Sequence, residues 1–194
     1  MPQVDYPAKT LYKGDVAKRY DEERFSSLMG KLYGFFEKLS ISRALRTIPR
    51  SSTVLDIPCG TGRIARHVEK LGYPVIGADI SRDMICLARQ RAVNCVVDDI
   101  ENIKFKDDYF DVVTCVRMMG HLPDKAKALK EMRRVAKHLV VTFYFKPKPN
   151  WHSVTREELE TQLIGCKLKV LATYHVFPGW SDGITYLLER DDNT

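Results

Sequence analysis

The chain has 194 residues, 44% hydrophobic and 29% charged, which suits one soluble domain with a full-sized core over residues 1–194 and leaves a second domain cramped. Its 31 basic and 25 acidic residues give a net charge of +6, which permits an acidic or nucleic-acid partner without requiring one. No apolar run approaches the roughly 20 residues that span a bilayer, Met1–Tyr12 lacks the apolar core of a secretory signal, and five cysteines without paired spacing fit a reducing cytoplasm, with no zinc or other metal motif.

In chain order, residues from about Tyr12 to Ile48 read as helical, because Val16, Tyr20, Phe25, Leu28, Leu32, Phe35, Phe36 and Leu39 recur at three- and four-residue steps. Gly14-Asp15 marks one helix start and Ser40 to Ser42 a second. These first 50 or so residues form a helical cap, and a strand–helix alternation begins at Thr53. Thr53 to Ile57 is the first strand, Gly62 to Leu71 a helix, Val75 to Asp79 the second strand and Arg82 to Ala92 a helix capped by Ser81. Val93 to Val97 and Phe110 to Val116 follow as strands, the latter apolar nearly throughout, as a strand buried on both faces should be. A helix opens at Pro123-Asp124 and runs to about Ala136. The fifth strand is His138 to Phe145, followed by a loop from Lys146 to Asn150. Thr155-Arg156-Glu157-Glu158 has the capping-box pattern of a helix start. Lys169 to Val176 and Gly183 to Glu189, with Pro178-Gly179 between them, close as a hairpin. The expected fold is α/β, a Rossmann-like, doubly wound, mostly parallel seven-stranded sheet with an antiparallel C-terminal hairpin strand and an N-terminal helical cover.

The organising stretch is Val54 to Arg63, where a strand breaks at Pro58 and turns through Gly60-Thr61-Gly62 into a helix. Glycine lets backbone approach a ligand at positive φ, and a helix N-terminus offers unbonded N–H groups to an anion. Asp79 ends the second strand about 23 residues after Asp56, where an acid beside such a turn can accept ribose hydroxyls. Asp98-Asp99 follows the third strand about 20 residues later.

Asp56 with Gly60-x-Gly62, Val75-Ile76-Gly77-Ala78-Asp79-Ile80-Ser81, and Asp99-Ile100-Glu101-Asn102-Ile103-Lys104-Phe105 together resemble the motifs of the class I S-adenosylmethionine-dependent methyltransferases. His121-Leu122-Pro123-Asp124 resembles the "methyltransferase 11" and ubiquinone/menaquinone-biosynthesis type within them. The resemblance implies S-adenosylmethionine as cofactor and S-adenosylhomocysteine as product. It assigns the cofactor to Asp56, Pro58, Cys59, Gly60, Thr61, Gly62, Arg63, Asp79, Ile80, Met84, Asp99, Ile100, Cys115 and Val116, with Asp99 rather than Asp98 meeting the adenine amino group. Ala17-Lys18-Arg19-Tyr20-Asp21 is similar to a segment ahead of the first motif in small-molecule members, which implies that Tyr20 closes over the cofactor and that Arg24 partners its carboxylate. His121 and Tyr144 are the candidate general bases, and His152 and Trp151 in the loop after the fifth strand are further candidates. Arg117, His121 and Trp151 are candidates for the acceptor site, where Arg117 either selects an anionic substrate or pairs with an acid of the protein. Two departures stand out. Pro58 replaces a small spacer, and Arg134 to Val141 lacks the usual longer turn before the fifth strand.

The expected activity is methyl transfer to a small-molecule acceptor. A nucleic-acid methyltransferase and a non-catalytic cofactor-binding subunit remain alternatives. The first is disfavoured because Asp/Asn-Pro-Pro-Tyr/Phe is absent after the fourth strand, and because the basic run Lys125 to Lys137 reads as a solvated helix face. Oligomeric state is not legible.

Overall fold

The computed structural model describes residues 11–146, 151–177 and 182–192. Two helices lead the chain, α1 (Gly14–Phe25) and α2 (Leu28–Ala44), ending in a 3₁₀ turn at Leu45–Thr47. There follow β1 (Val54–Asp56), α3 (Arg63–Lys70), β2 (Val75–Asp79), α4 (Arg82–Gln90), β3 (Cys95–Val97) and β4 (Phe110–Cys115). After a 3₁₀ turn at Met119–His121 come α5 (Lys125–Val135), β5 (Ala136–Tyr144), α6 (Arg156–Gly165), β6 (Leu168–His175) and β7 (Gly183–Arg190).

The seven strands lie in the order β3-β2-β1-β4-β5-β7-β6. All pairs from β3 to β5 are parallel, and β7 inserts antiparallel between β5 and β6. The chain winds outward from β1 toward β3 and, in the other direction, from β4 through β5. The carboxyl ends of β1 and β4 therefore flank a switch point, where such sheets open a ligand crevice.

Alternation assigns the strand side chains to two cores. Leu55, Val113 and Leu139 face Leu129, Met132, Leu159 and Leu163 of α5 and α6. Val54, Val112 and Val140 face Ile41 and Ala44 of α2, together with Ile64 and Val68 of α3. The helical cover is thus a full layer on the second face. A buried polar seam fixes it there, since Ser40 Oγ lies 2.8 Å from Thr185 Oγ1 of β7, which lies 3.0 Å from Thr142 Oγ1 of β5.

Three sequence expectations change. The break between the leading helices falls at Ser26-Ser27, not at Ser40 to Ser42. Ser27 Oγ accepts from the Gly30 N–H at 3.0 Å and caps α2, whereas Ser40 and Ser42 point their hydroxyls at carbonyls one turn back and leave the helix continuous. The shortened turn before the fifth strand vanishes altogether, because β5 starts at Ala136, directly after the last residue of α5. The basic run Lys125 to Lys137 is solvated in part: Lys127, Lys130 and Lys137 are exposed, whereas Lys125 and Arg134 are tied inward. Lys125 Nζ donates to the Leu122 carbonyl at 3.1 Å, and Arg134 bonds Glu131, Asp107 and the carbonyls of Ile103 and Phe105. The Thr155 capping box forms as expected. Pro178-Gly179 and residues 147–150 of the expected loop lie outside the described residues.

Candidate active site

Two adjoining cavities open above the carboxyl ends of the parallel strands. The inner one, about 100 Å³, is a narrow slot lined by the turn after β1, by Asp79, Ile80 and Met84, by Asp98 to Ile100, and by Val116 to Met118. The outer one, about 450 Å³, is lined by Arg24, Tyr33, Tyr144, Trp151 and neighbours on α1 and α2. Tyr12, Tyr20, Arg117 and His121 line both and form the wall between them.

In the inner slot the two motif glycines do different work. Gly60 has φ +52° and nothing within 4 Å of where a Cβ would sit, so it keeps the cavity side of the turn open. Gly62, at φ +80°, is absent from the cavity wall. A Cβ there would stand 3.0 Å from Val93 and 3.1 Å from Ala88, so this glycine permits helix packing. Asp79 ends β2 with Oδ2 accepting from the Gly60 N–H at 2.9 Å and Oδ1 from the Ser81 N–H at 2.8 Å. These two bonds fix the carboxylate and leave each oxygen a further lone pair for hydroxyl donors. Burial raises its pKa, against the opposing pull of the two amides.

Of the adjacent acids, Asp98 is occupied, taking the Asp99 N–H on Oδ1 and the Lys104 N–H on Oδ2. Asp99 is half-buried at the cavity wall, accepting the Glu101 N–H at 3.0 Å. The turn itself is tied to α1, since Thr61 Oγ1 donates to Asp21 Oδ1 at 3.0 Å and Asp21 Oδ2 pairs with Arg91. Tyr12 and Tyr20 meet edge to face at 5.4 Å over the slot.

Several candidates sit elsewhere than expected. Asp56 is 1% exposed and outside both cavity walls. It accepts from Thr114 Oγ1 at 2.7 Å beneath the turn, and burial pushes its pKa up to about 7 against that bond. Cys115 is fully buried in the first core, because alternation along β4 turns it away from the crevice while Val116 reaches it. Arg24 lines the outer cavity, with its guanidinium 5.5 Å from the Tyr20 ring, and not the inner one. His152 is exposed and in neither wall. Tyr144 is no candidate base: its hydroxyl donates to Glu37 Oε1 at 3.0 Å, and burial followed by the Glu37 charge raises its pKa well above the usual phenol.

Glu37 is the residue that sequence reasoning missed. It is fully buried in α2, where Oε1 takes Arg117 Nε at 2.6 Å and Oε2 faces Arg63 Nη1 at 3.6 Å. Its signal was positional, an acid on the same α2 stripe as buried Gly34, Ile41 and Ala44. Arg117 has φ +62°, and its guanidinium carbon lies 5.0 Å from the rings of both Phe25 and Tyr33. Burial lowers its pKa, but the Glu37 carboxylate reverses the direction to a net rise. His121 stands beside Trp151 at 5.1 Å and Tyr12 at 6.4 Å between ring centres. Trp151 covers Gly120, where a Cβ would fall 2.2 Å from the indole. Among the described residues no group of three or more His, Cys, Asp or Glu is placed to hold a metal, and no helix is long and apolar enough to cross a membrane.

Residues 55–141 match the family model of a methyltransferase domain. The chain is 34% identical over 132 residues to a ubiquinone/menaquinone biosynthesis C-methyltransferase of Cupriavidus taiwanensis, covering 63% of this chain and 53% of that one. It is 38% identical over 99 residues to a 2-methyl-6-phytyl-1,4-hydroquinone methyltransferase of Synechocystis, covering 48% and 31%. The chain therefore spans only about a third to a half of these relatives. The fold is that of a magnesium protoporphyrin IX methyltransferase from Synechocystis solved with bound SAM, at a TM-score of 0.82 with 15% identity, over 98% of this chain and 100% of that chain.

Proposed function

We propose, for a chain whose residues 55–141 carry a methyltransferase domain, that it works as one domain transferring the methyl of S-adenosylmethionine to a small-molecule acceptor. The observation that carries this is the Asp79 carboxylate, fixed by the Gly60 and Ser81 amides against the inner slot with lone pairs to spare. The residues that line the slot suit such a cofactor. Asp79 takes the ribose hydroxyls, Asp99 the adenine amino group, and Ile80, Met84 and Ile100 supply apolar walls for a purine. Gly60, lacking a Cβ, leaves room for the chain beyond the ribose, and Arg63 is a cation on the same wall. Tyr12 and Tyr20, in edge-to-face contact, cover the slot.

The bound cofactor supplies an electrophilic methyl on its sulfonium, so little covalent chemistry falls to the protein. Its side chains align the acceptor and exclude water. The acceptor occupies the outer cavity, with His121 at the junction as the residue able to take a proton when the nucleophile carries one. Small-molecule transfer is favoured over nucleic acid because two of the α5 cations, Lys125 and Arg134, are held by internal bonds and the acceptor side is a cavity lined by aromatic rings. Five unpaired cysteines support a cytoplasmic setting.

Thermal unfolding with S-adenosylhomocysteine tests the proposal. Stabilisation by about 2.7 kcal/mol is expected at a ligand concentration of about one hundred times Kd, and its loss in Asp79→Ala. An unshifted native protein would remove the cofactor reading.

A further inference from the structure

The outer cavity combines two features that select one kind of acceptor. Its walls are aromatic: Tyr33 and Tyr144 stack with ring centres 6.3 Å apart, and Trp151 stands edge-on to Tyr144 at 5.9 Å. Its charge is positive. Among the described residues Arg24, Arg117 and Lys146 line it against one carboxylate, Asp182, which accepts the Lys146 backbone N–H.

The buried cluster behind the wall leaves that charge uncancelled. One carboxylate, Glu37, is set against two guanidinium groups, Arg63 and Arg117. Arg117 uses Nε for Glu37, while its Nη2 is buried with no hydrogen-bond partner. A buried donor on an always-charged group without an acceptor is costly. Glu37 holds the fork by one edge, and Nη2 on the other is buried without a partner in a residue that lines both cavities.

We propose that the acceptor is a flat aromatic acid, taken up between the tyrosines and Trp151, whose carboxylate is read by Arg117 with Arg24 at the rim. Planar donors in a fork match a carboxylate in two bonds, and the aromatic walls match the ring. Glu37 is then a positioning residue, setting the orientation of the Arg117 fork without touching the acceptor. His121, in the wall between the cavities, is left facing the part of the acceptor nearest the cofactor. The inference rests on the reading of the inner slot as the cofactor site.

The test is calorimetric binding of 2-naphthoate and benzoate, each against its uncharged amide, to protein saturated with S-adenosylhomocysteine. At least one acid should bind ten-fold or more tightly than its amide. In the double variant Glu37→Gln/Arg117→Gln, which removes one charge of each sign and leaves Arg63 facing a neutral amide, discrimination should fall to within two-fold. Arg24→Gln, at an exposed position, should fold normally and lose about three-fold of the discrimination. Acids and amides binding alike, or neither binding, would overturn the proposal. So would a double variant that loses S-adenosylhomocysteine affinity along with discrimination, which would assign Arg117 to the cofactor. Failure of the native protein to bind S-adenosylhomocysteine is a separate result, counting against the cofactor reading itself.

Discussion

Arg117 and Glu37 are 80 positions apart in the chain and 2.6 Å apart in the fold. The contact joins the end of β4 to α2 and sets the wall between the two cavities. Tyr144 completes it through its own bond to Glu37. The acid is entirely buried, and three groups from three separate elements converge on it.

Glu37→Ala leaves two guanidinium groups in a buried space without their counter-charge. Breaking a buried pair by removing one partner costs about 3–5 kcal/mol. Glu37→Gln keeps an acceptor for Arg117 and Tyr144 and should lose less. Urea unfolding of both variants measures the difference. A loss under about 1 kcal/mol for the alanine variant would show the cluster to be energetically idle, by the same comparison.

The two motif glycines should fail differently. Gly62→Ala forces a Cβ to 3.0 Å from Val93 at a positive φ, and its main effect should be a lowered Tm. Gly60→Ala meets no atom, so its stability cost should be only the left-handed backbone penalty of about 1–2 kcal/mol. Its methyl narrows the slot, and S-adenosylhomocysteine affinity should fall at least ten-fold. Paired thermal and binding measurements separate the two, and equal effects on both readouts would contradict the division of labour.

Asp56 should imprint a pH dependence on stability. The folded protein holds its proton up to about pH 7, whereas the unfolded chain releases it near 3.8. The folded state therefore binds the extra proton between those values, and stability falls as pH rises through the window. Between pH 5 and 8 this one group accounts for a loss of about 2–3 kcal/mol. Asp56→Asn removes the ionisation. Denaturant midpoints across that range should flatten in the variant, and an unchanged slope would assign the dependence to other groups.

Tyr144→Phe should leave methyl transfer largely intact. The hydroxyl is committed to Glu37, so its removal costs about 1 kcal/mol of stability and no proton-transfer step. His121→Asn, at the junction of the cavities, should lower kcat about a hundred-fold for an acceptor that must lose a proton. Labelled-methyl transfer compares the two. A phenylalanine variant impaired as deeply as the asparagine one would return Tyr144 to the catalytic group.

The amino-acid sequence by itself determined the order of strands and helices and the glycine turn after β1, because these rest on local periodicity and short spacing. β2 falls on the residues expected, Val75 to Asp79, and Gly60, Asp79 and Asp99 all reach the inner slot. The helix break at Ser27 was misplaced because both serine clusters carry the same capping chemistry, and only the actual direction of each hydroxyl distinguishes them. What tertiary structure alone decided is which side of a strand or helix each polar residue presents. A one-residue step along β4 sends Cys115 into the core and brings Val116 to the slot. The same rule sinks Asp56 beneath its turn. Glu37 lay unmarked among the helix residues, since its partners Arg63, Arg117 and Tyr144 come from elements that meet it only when α2 folds back across the sheet. Local propensity carries no information about such long-range pairings, so the wall of the inner slot was legible in the sequence and the cluster beside the outer cavity was not.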